Sequence, residues 1–132
     1  MRISVDANVL VRAAVRDDAR QARAAAKVLE GATVIAIALP CLCEFVWVLR
    51  RVYGYSAGEI SAALRALVDA GSVEVNRPAV EAGLAALEAG GDFADAVIAY
   101  EGRRLGGETF VSFDRAAVAT LAAQGFKTQL LK

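Results

Sequence analysis

The sequence of 132 residues contains no histidine. Without imidazole there is no Ser-His-Asp triad, no His/Cys zinc site and no pair of histidines serving as acid and base near neutral pH. Any hydrolytic chemistry must use carboxylates, with a metal beside them. Cysteine and proline are also scarce, at 2 each, and 11 glycines are too few for a collagen-like chain. Cys41 and Cys43 stand two apart, so on a helix their side chains diverge by about 200° and a mutual disulfide is not expected. The thiols read as small apolar fillers in a reduced, cytoplasmic setting. Neither sign of charge is in excess: 15 basic and 15 acidic residues sum to zero. That argues against a protein that coats nucleic acid through a large positive field, yet leaves room for a local basic stripe. No apolar run is long enough for a membrane: the stretch from Gly31 to Phe45 is interrupted by Glu44 and contains Pro40. The opening Met1-Arg-Ile-Ser-Val-Asp6 reads as neither a secretory signal nor a transit peptide.

What is present is a hydrophobic content of 57%, enough for one domain over residues 1–132 with a single core. Hydropathy and turn residues predict a strand over 2–5, helices over 8–15 and from Asp17-Asp18 to Glu30, and a strand over 33–38. Pro40 opens a helix over 41–53. Ser56 and Glu59 have the capping-box spacing and start a helix with Ile60, Leu64, Leu67 and Val68 on one face. A brief strand over 73–75, helices over 78–89 and 92–105, a strand over 109–112, a helix over 115–123 and a last strand over 127–131 complete the chain. Strands alternating with helices predict an α/β fold whose mostly parallel central sheet is flanked by helices. In such folds ligands sit beyond the carboxyl ends of the strands.

Four acids stand in apolar surroundings. Asp6 lies between Ile3-Ser-Val5 and Val9-Leu-Val11, Glu44 within Leu42-Cys-Glu-Phe-Val-Trp-Val-Leu49, Asp95 in Phe93-Ala-Asp-Ala-Val-Ile98, and Asp114 in Phe110-Val-Ser-Phe-Asp. Asp6 and Asp114 follow predicted strands; Glu44 and Asp95 fall in the first turns of predicted helices. In a parallel sheet these places open on one edge, where gathered carboxylates repel one another unless a cation neutralises them. Oxygen-only ligation points to Mg²⁺ or Mn²⁺ rather than zinc. Each acid also has a plain structural reading: Asp6 as a turn residue, Asp114 as a helix N-cap, Asp92 with Asp95 as a local capping pair. Asn8 and Ser112, each two residues from an acid, are candidates to orient carboxylates or to serve the turns.

The set Val5-Asp-Ala-Asn8, Glu44 in its apolar helix, Asp92-Phe-Ala-Asp95-Ala-Val-Ile-Ala99 and Phe110-Val-Ser-Phe-Asp114-Arg115 resembles the PIN-domain ribonucleases. Among these it is similar to the VapC-type toxins of bacterial toxin–antitoxin pairs. The resemblance implies a PIN-like three-layer fold in which Asp6, Glu44, Asp95 and Asp114 hold Mg²⁺ or Mn²⁺. Asn8 and Ser112 would support them, and Asp92 would be a cap or outer acid. Ser112 stands where the family often has Thr, which keeps the hydroxyl. The resemblance further implies metal-assisted hydrolysis of RNA, a homodimer, and inhibition by a small antitoxin of VapB type in a heterotetramer or larger assembly.

For RNA contact, Arg12, Arg16, Arg20, Arg23 and Lys27 recur at helical spacing, with Asp17-Asp18 expected to break the stripe. Arg12, Arg16 and Arg115 are the candidates nearest the acids. Trp47 and Tyr53 read as core or dimer packing, and Val46, Leu49 and Val52, with the face from Ile60 to Val68, as an apolar surface for a second subunit or the antitoxin. Two other classes compete: a catalytically silent PIN-like binding module and a Mg²⁺-binding phosphoacceptor domain. The latter wants paired acids after the first strand and a lysine after the last, where this chain has Asp6 alone and Lys127 at the start of the final strand. A haloacid-dehalogenase phosphatase needs a second Asp where Asn8 stands.

Overall fold

The computed structural model describes residues 1–132. It is a mixed α/β fold with seven helices and five short strands, all paired in parallel. The chain forms two compact units, Met1–Asn76 and Arg77–Lys132.

The first unit runs β1 (Arg2–Ser4), α1 (Ala7–Val15), α2 (Ala19–Gly31), β2 (Val34–Ala36), α3 (Leu39–Arg51), α4 (Ala57–Val68) and β3 (Val73–Glu74). Its strands lie in the order β1-β2-β3, with Ile3 opposite Ile35 and Ile35 opposite Val73. Parallel neighbours require crossovers, and the helix pairs α1–α2 and α3–α4 supply them. Leu10, Ile35, Leu42, Phe45, Leu49, Ile60 and Leu64 are buried and make this unit's core. Helix starts follow local chemistry. Asp18 caps α2 by accepting from the Gln21 N–H at 3.0 Å, and Pro40 stands in the first turn of α3. Ser56 and Glu59 close a reciprocal capping box at α4, in which the Ser56 backbone N–H, and then its hydroxyl, hold the Glu59 carboxyl below its ordinary range. The end of α1 is less ordinary. Arg16 closes it in the left-handed region at φ 60°, a conformation that favours glycine.

The second unit runs α5 (Arg77–Glu88), α6 (Phe93–Arg104), β4 (Phe110–Ser112), α7 (Arg115–Ala123) and β5 (Thr128–Leu130). β4 and β5 pair in parallel across the α7 crossover, Val111 opposite Gln129. Buried Ala86, Ala96, Ala99 and Leu121 form a cluster on which Phe110 and Phe126 pack, and the Arg103 guanidinium lies 4.5 Å from the centre of the Phe126 ring. Small side chains let α5 and α6 approach closely. At Gly83 a Cβ would fall 2.5 Å from the ring of Phe93, which is fully buried.

The apolar residues expected to offer a docking surface are mostly core. Val46, Leu49, Ile60, Leu64 and Val68 are buried, whereas Val52 and Trp47 are exposed, at 61% and 58%. A helix face that looked unpartnered along the sequence is covered by its own unit.

Two glycines should respond oppositely to the same change. Gly83→Ala should destabilise by about 1–3 kcal/mol, because the buried Phe93 ring has nowhere to move. Gly102→Ala, inside α6 with nothing within 4 Å of its Cβ position, should stabilise by about 0.5–1 kcal/mol. Urea midpoints of the two variants check both signs.

Candidate active site

Asp6 and Asp114 stand at strand-to-helix turns, and each caps the helix that follows. Asp6 Oδ1 accepts from the Val9 N–H at 3.1 Å, and Asp114 Oδ1 from the Ala117 N–H at 3.1 Å. Asp92 does the same for α6, its Oδ2 accepting from the Asp95 N–H at 3.2 Å. The structural readings of these acids therefore hold. Capping engages one carboxylate oxygen and fixes the side chain's direction, leaving the other oxygen unneeded by the helix. Ser112 serves the turn: its Oγ accepts from the Asp114 N–H at 2.9 Å and so sets the backbone from which that acid projects.

The expectation that all four acids are buried in apolar surroundings is not met. Asp6, Glu44 and Asp114 are exposed, and only Asp95 is partly buried. For Glu44 the reason is helical rotation. Its apolar neighbours Leu42, Phe45, Val46 and Leu49 turn into the core, while Glu44 and Trp47 face outward.

The acids fall into two sets, one in each unit. In the first, Asp6 and Glu44 both act on Cys41. Burial pushes this thiol up to about 11, and the two negative charges add to the shift. Cys41 lies one helical turn before Glu44, a spacing already visible in the sequence, though the thiol's place beside Asp6 was not. In the second, Asp95 is raised to about 6 by its burial, then by the charges of Asp92 and Asp114, then by a hydrogen bond with Asp92. A carboxyl so placed gains from a nearby cation. The donor chemistry thus suits a hard divalent ion, although no three His, Cys, Asp or Glu side chains are grouped to hold one.

The basic candidates differ in their engagement. Arg12 Nη1 donates to Asp17 Oδ1 at 3.0 Å, and the Tyr53 hydroxyl donates to Asp17 Oδ2 at 3.1 Å. Arg12 is thereby held in a network that joins α1 to the end of α3, a long-range link with no signature in local spacing. Its Nε is buried without an acceptor. Arg16 is exposed just past α1, so the expected break in the stripe is present, and Arg115 is exposed at the start of α7. Asn8 lines a cavity of about 320 Å³ between α1 and α2, together with Asp6, Arg12 and Gln21.

Two measurements follow from the shifted groups. Because the folded state holds the Asp95 proton up to about pH 6, against an ordinary value of 3.8, the native chain binds more protons than the unfolded one between these values. Stability of the metal-free protein therefore falls as pH rises from about 4 to 6. Asp95→Asn should remove that slope and, allowing for solvent screening at a partly exposed site, raise stability at pH 7.5 by about 1–2 kcal/mol. Denaturant titrations in a chelator at several pH values test this. Cys41 should in turn react with an alkylating reagent at pH 8 about 100-fold more slowly than an unperturbed thiol, as read by mass spectrometry.

No curated protein matches the sequence as a relative. The family model of the PIN domain matches residues 3–121, a span that holds all four acids together with the three capping turns described above. The chain belongs to the PIN domain family.

Proposed function

We propose that the protein is a Mg²⁺- or Mn²⁺-dependent endoribonuclease of the VapC toxin type. PIN domains are typically nucleases and generally use divalent metal ions. The observation that carries the reading is Asp95: a carboxyl in the first turn of α6 whose burial, and then the charges of Asp92 and Asp114, hold its proton to about pH 6. Such crowding is costly in a structural turn and useful where a cation binds.

Asp6, Glu44, Asp95 and Asp114 are the residues assigned to hold the ion. Bound there, a hard divalent cation would supply Lewis-acid polarisation of a phosphodiester and a more acidic attacking water. The chain's own part is positioning. Asp6 and Asp114 are oriented by the N–H groups they cap, Ser112 holds the Asp114 turn, and Asp92 fixes the start of α6 while bonding the Asp95 side chain. Below about pH 6 the metal-free chain holds a proton on Asp95, which a bound ion would displace.

The same reading assigns Arg12, Arg16 and Arg115 to RNA phosphates, a VapB-type antitoxin as inhibitor, a homodimer that joins it in a heterotetramer or larger assembly, and a cytoplasmic location. No helix is long and apolar enough to cross a membrane. The second reading, a catalytically silent PIN-like binding module, draws on the absence of three acids grouped around one point.

Purified protein freed of any partner should cleave single-stranded RNA with Mn²⁺ or Mg²⁺ and stop on chelation. Asp6→Asn and Asp95→Asn should each lower the rate by about 100-fold or more. Equal cutting by parent and variants would refute the assigned site, and an inert parent would favour the binding module. Growth arrest on expression, relieved by co-expressing a short protein encoded next to it, tests the toxin role.

A further inference from the structure

RNA carries a negative charge at every phosphate, and the acids assigned to the ion are negative as well. A chain of zero net charge has to draw such a polymer to its site with a local excess of positive charge. The turn after α1 and one face of α2 provide it. Arg16, Arg20, Arg23 and Lys27 are all exposed, and none of them is in an ion pair.

On α2, Arg20, Arg23 and Lys27 project within about 60° of one another, nearly opposite the buried Ala22 and Ala25. The two acids that interrupt the series along the sequence are both engaged. Asp17 accepts from Arg12 Nη1 at 3.0 Å and from the Tyr53 hydroxyl at 3.1 Å, while Asp18 caps α2, where the helix dipole offsets its charge. The turn breaks the helix, yet its acids are matched and the four cations are left bare. Arg16 adds a separate sign. It holds φ 60° where a glycine would be free of strain, and a charged side chain kept in such a conformation points to a use for its charge.

The stripe also leads toward the acids. Ala24 lines the same groove as Asp6 and stands within about 60° of both Arg20 and Lys27, so the cations run along that groove's rim. Arg20 to Lys27 covers about 10 Å of helix, the length of about three nucleotides in a stacked strand. Cations repeated every 4.5–6 Å or so suit a polymer of evenly spaced charges better than an acidic protein segment, and the guanidinium fork suits phosphate.

We propose that Arg16, Arg20, Arg23 and Lys27 form a track for the phosphates of single-stranded RNA on one side of the cleaved bond. That the strand leads to the bond rests on the nuclease reading; the phosphate binding itself does not.

Binding is read in a chelator, so that nothing is cut: fluorescence anisotropy of a labelled oligouridylate with the full chain, between about 50 and 200 mM KCl. The logarithm of the parent's affinity should fall linearly with the logarithm of the salt concentration. Arg20→Gln, Arg23→Gln and Lys27→Gln combined should weaken binding about tenfold or more at low salt and make that slope shallower by about 2, at about 0.7 per lost contact. Glutamine keeps the helix propensity of α2, and circular dichroism checks the fold. Should the triple variant fail to fold, each single substitution should make the slope shallower by about 0.7. Arg20→Lys with Arg23→Lys should keep the parent's slope. Arg50→Gln with Arg51→Gln removes two exposed cations from the last turn of α3 and should leave the slope within about 0.5 of the parent's. No binding by the parent, a slope unmoved by the stripe variants, or an equal loss per charge from the α3 variant would overturn the proposal and leave the stripe to an acidic protein partner or to solvent. Cleavage kinetics separate the track from the nuclease. With Mn²⁺, the triple variant should show a KM raised about tenfold or more at nearly unchanged kcat. Cleavage at an unchanged KM sinks the track and keeps the nuclease, whereas binding through the stripe by a parent that never cuts does the reverse.

Discussion

A parallel strand that ends and a helix that begins share one turn, and the first N–H groups of that helix have no partner within it. Aspartate answers this need with a single oxygen. Asp6 and Asp114 do so after β1 and β4, and Asp92 does so at the break between α5 and α6. Three turns are thereby fixed by carboxylates whose directions are set by the backbone. The candidate site depends on this double use: the residues that start the helices are also the ones that present negative charge. The first turn of α6 shows its consequence, since Asp92, once placed as a cap, adds its charge to the burial that raises Asp95.

Cation chemistry and fold stability therefore pull against each other at Asp95. A carboxyl that holds its proton to about pH 6 weakens the metal-free fold at neutral pH, and an ion bound to the deprotonated form would compensate. At the other set of acids, burial first and then the charges of Asp6 and Glu44 raise Cys41. Its thiol stays neutral beside Asp6 and Glu44, which suits packing and makes it a poor nucleophile.

Local chemistry made much of this legible in the sequence. The Ser56–Glu59 box, Pro40 at the start of α3 and the Gly90-Gly91 break each mark a boundary through short-range sterics or hydrogen bonding, and the structure has helices at those places. The caps at Asp92 and Asp114 were readable for the same reason. Solvent exposure was not. Glu44 sits among apolar residues along the chain, yet each helical residue turns about 100° from the last, so it shares a face with Trp47 rather than with Phe45. The supposed docking face from Ile60 to Val68 failed similarly, because apolar periodicity marks a buried face without saying what buries it. The Arg12–Asp17–Tyr53 network joins residues far apart in sequence, and nothing in local spacing predicts such a link.

The zero histidine count, first an exclusion, is consistent with a site made of carboxylates and a hard metal. The most direct test is a calorimetric titration of Mn²⁺ into the metal-free chain and into Asp6→Asn and Asp95→Asn. The account predicts saturable binding by the parent, with proton release near pH 6, and affinity lowered by about tenfold or more in each variant. Unchanged affinity in both variants, or no binding by the parent, would contradict it.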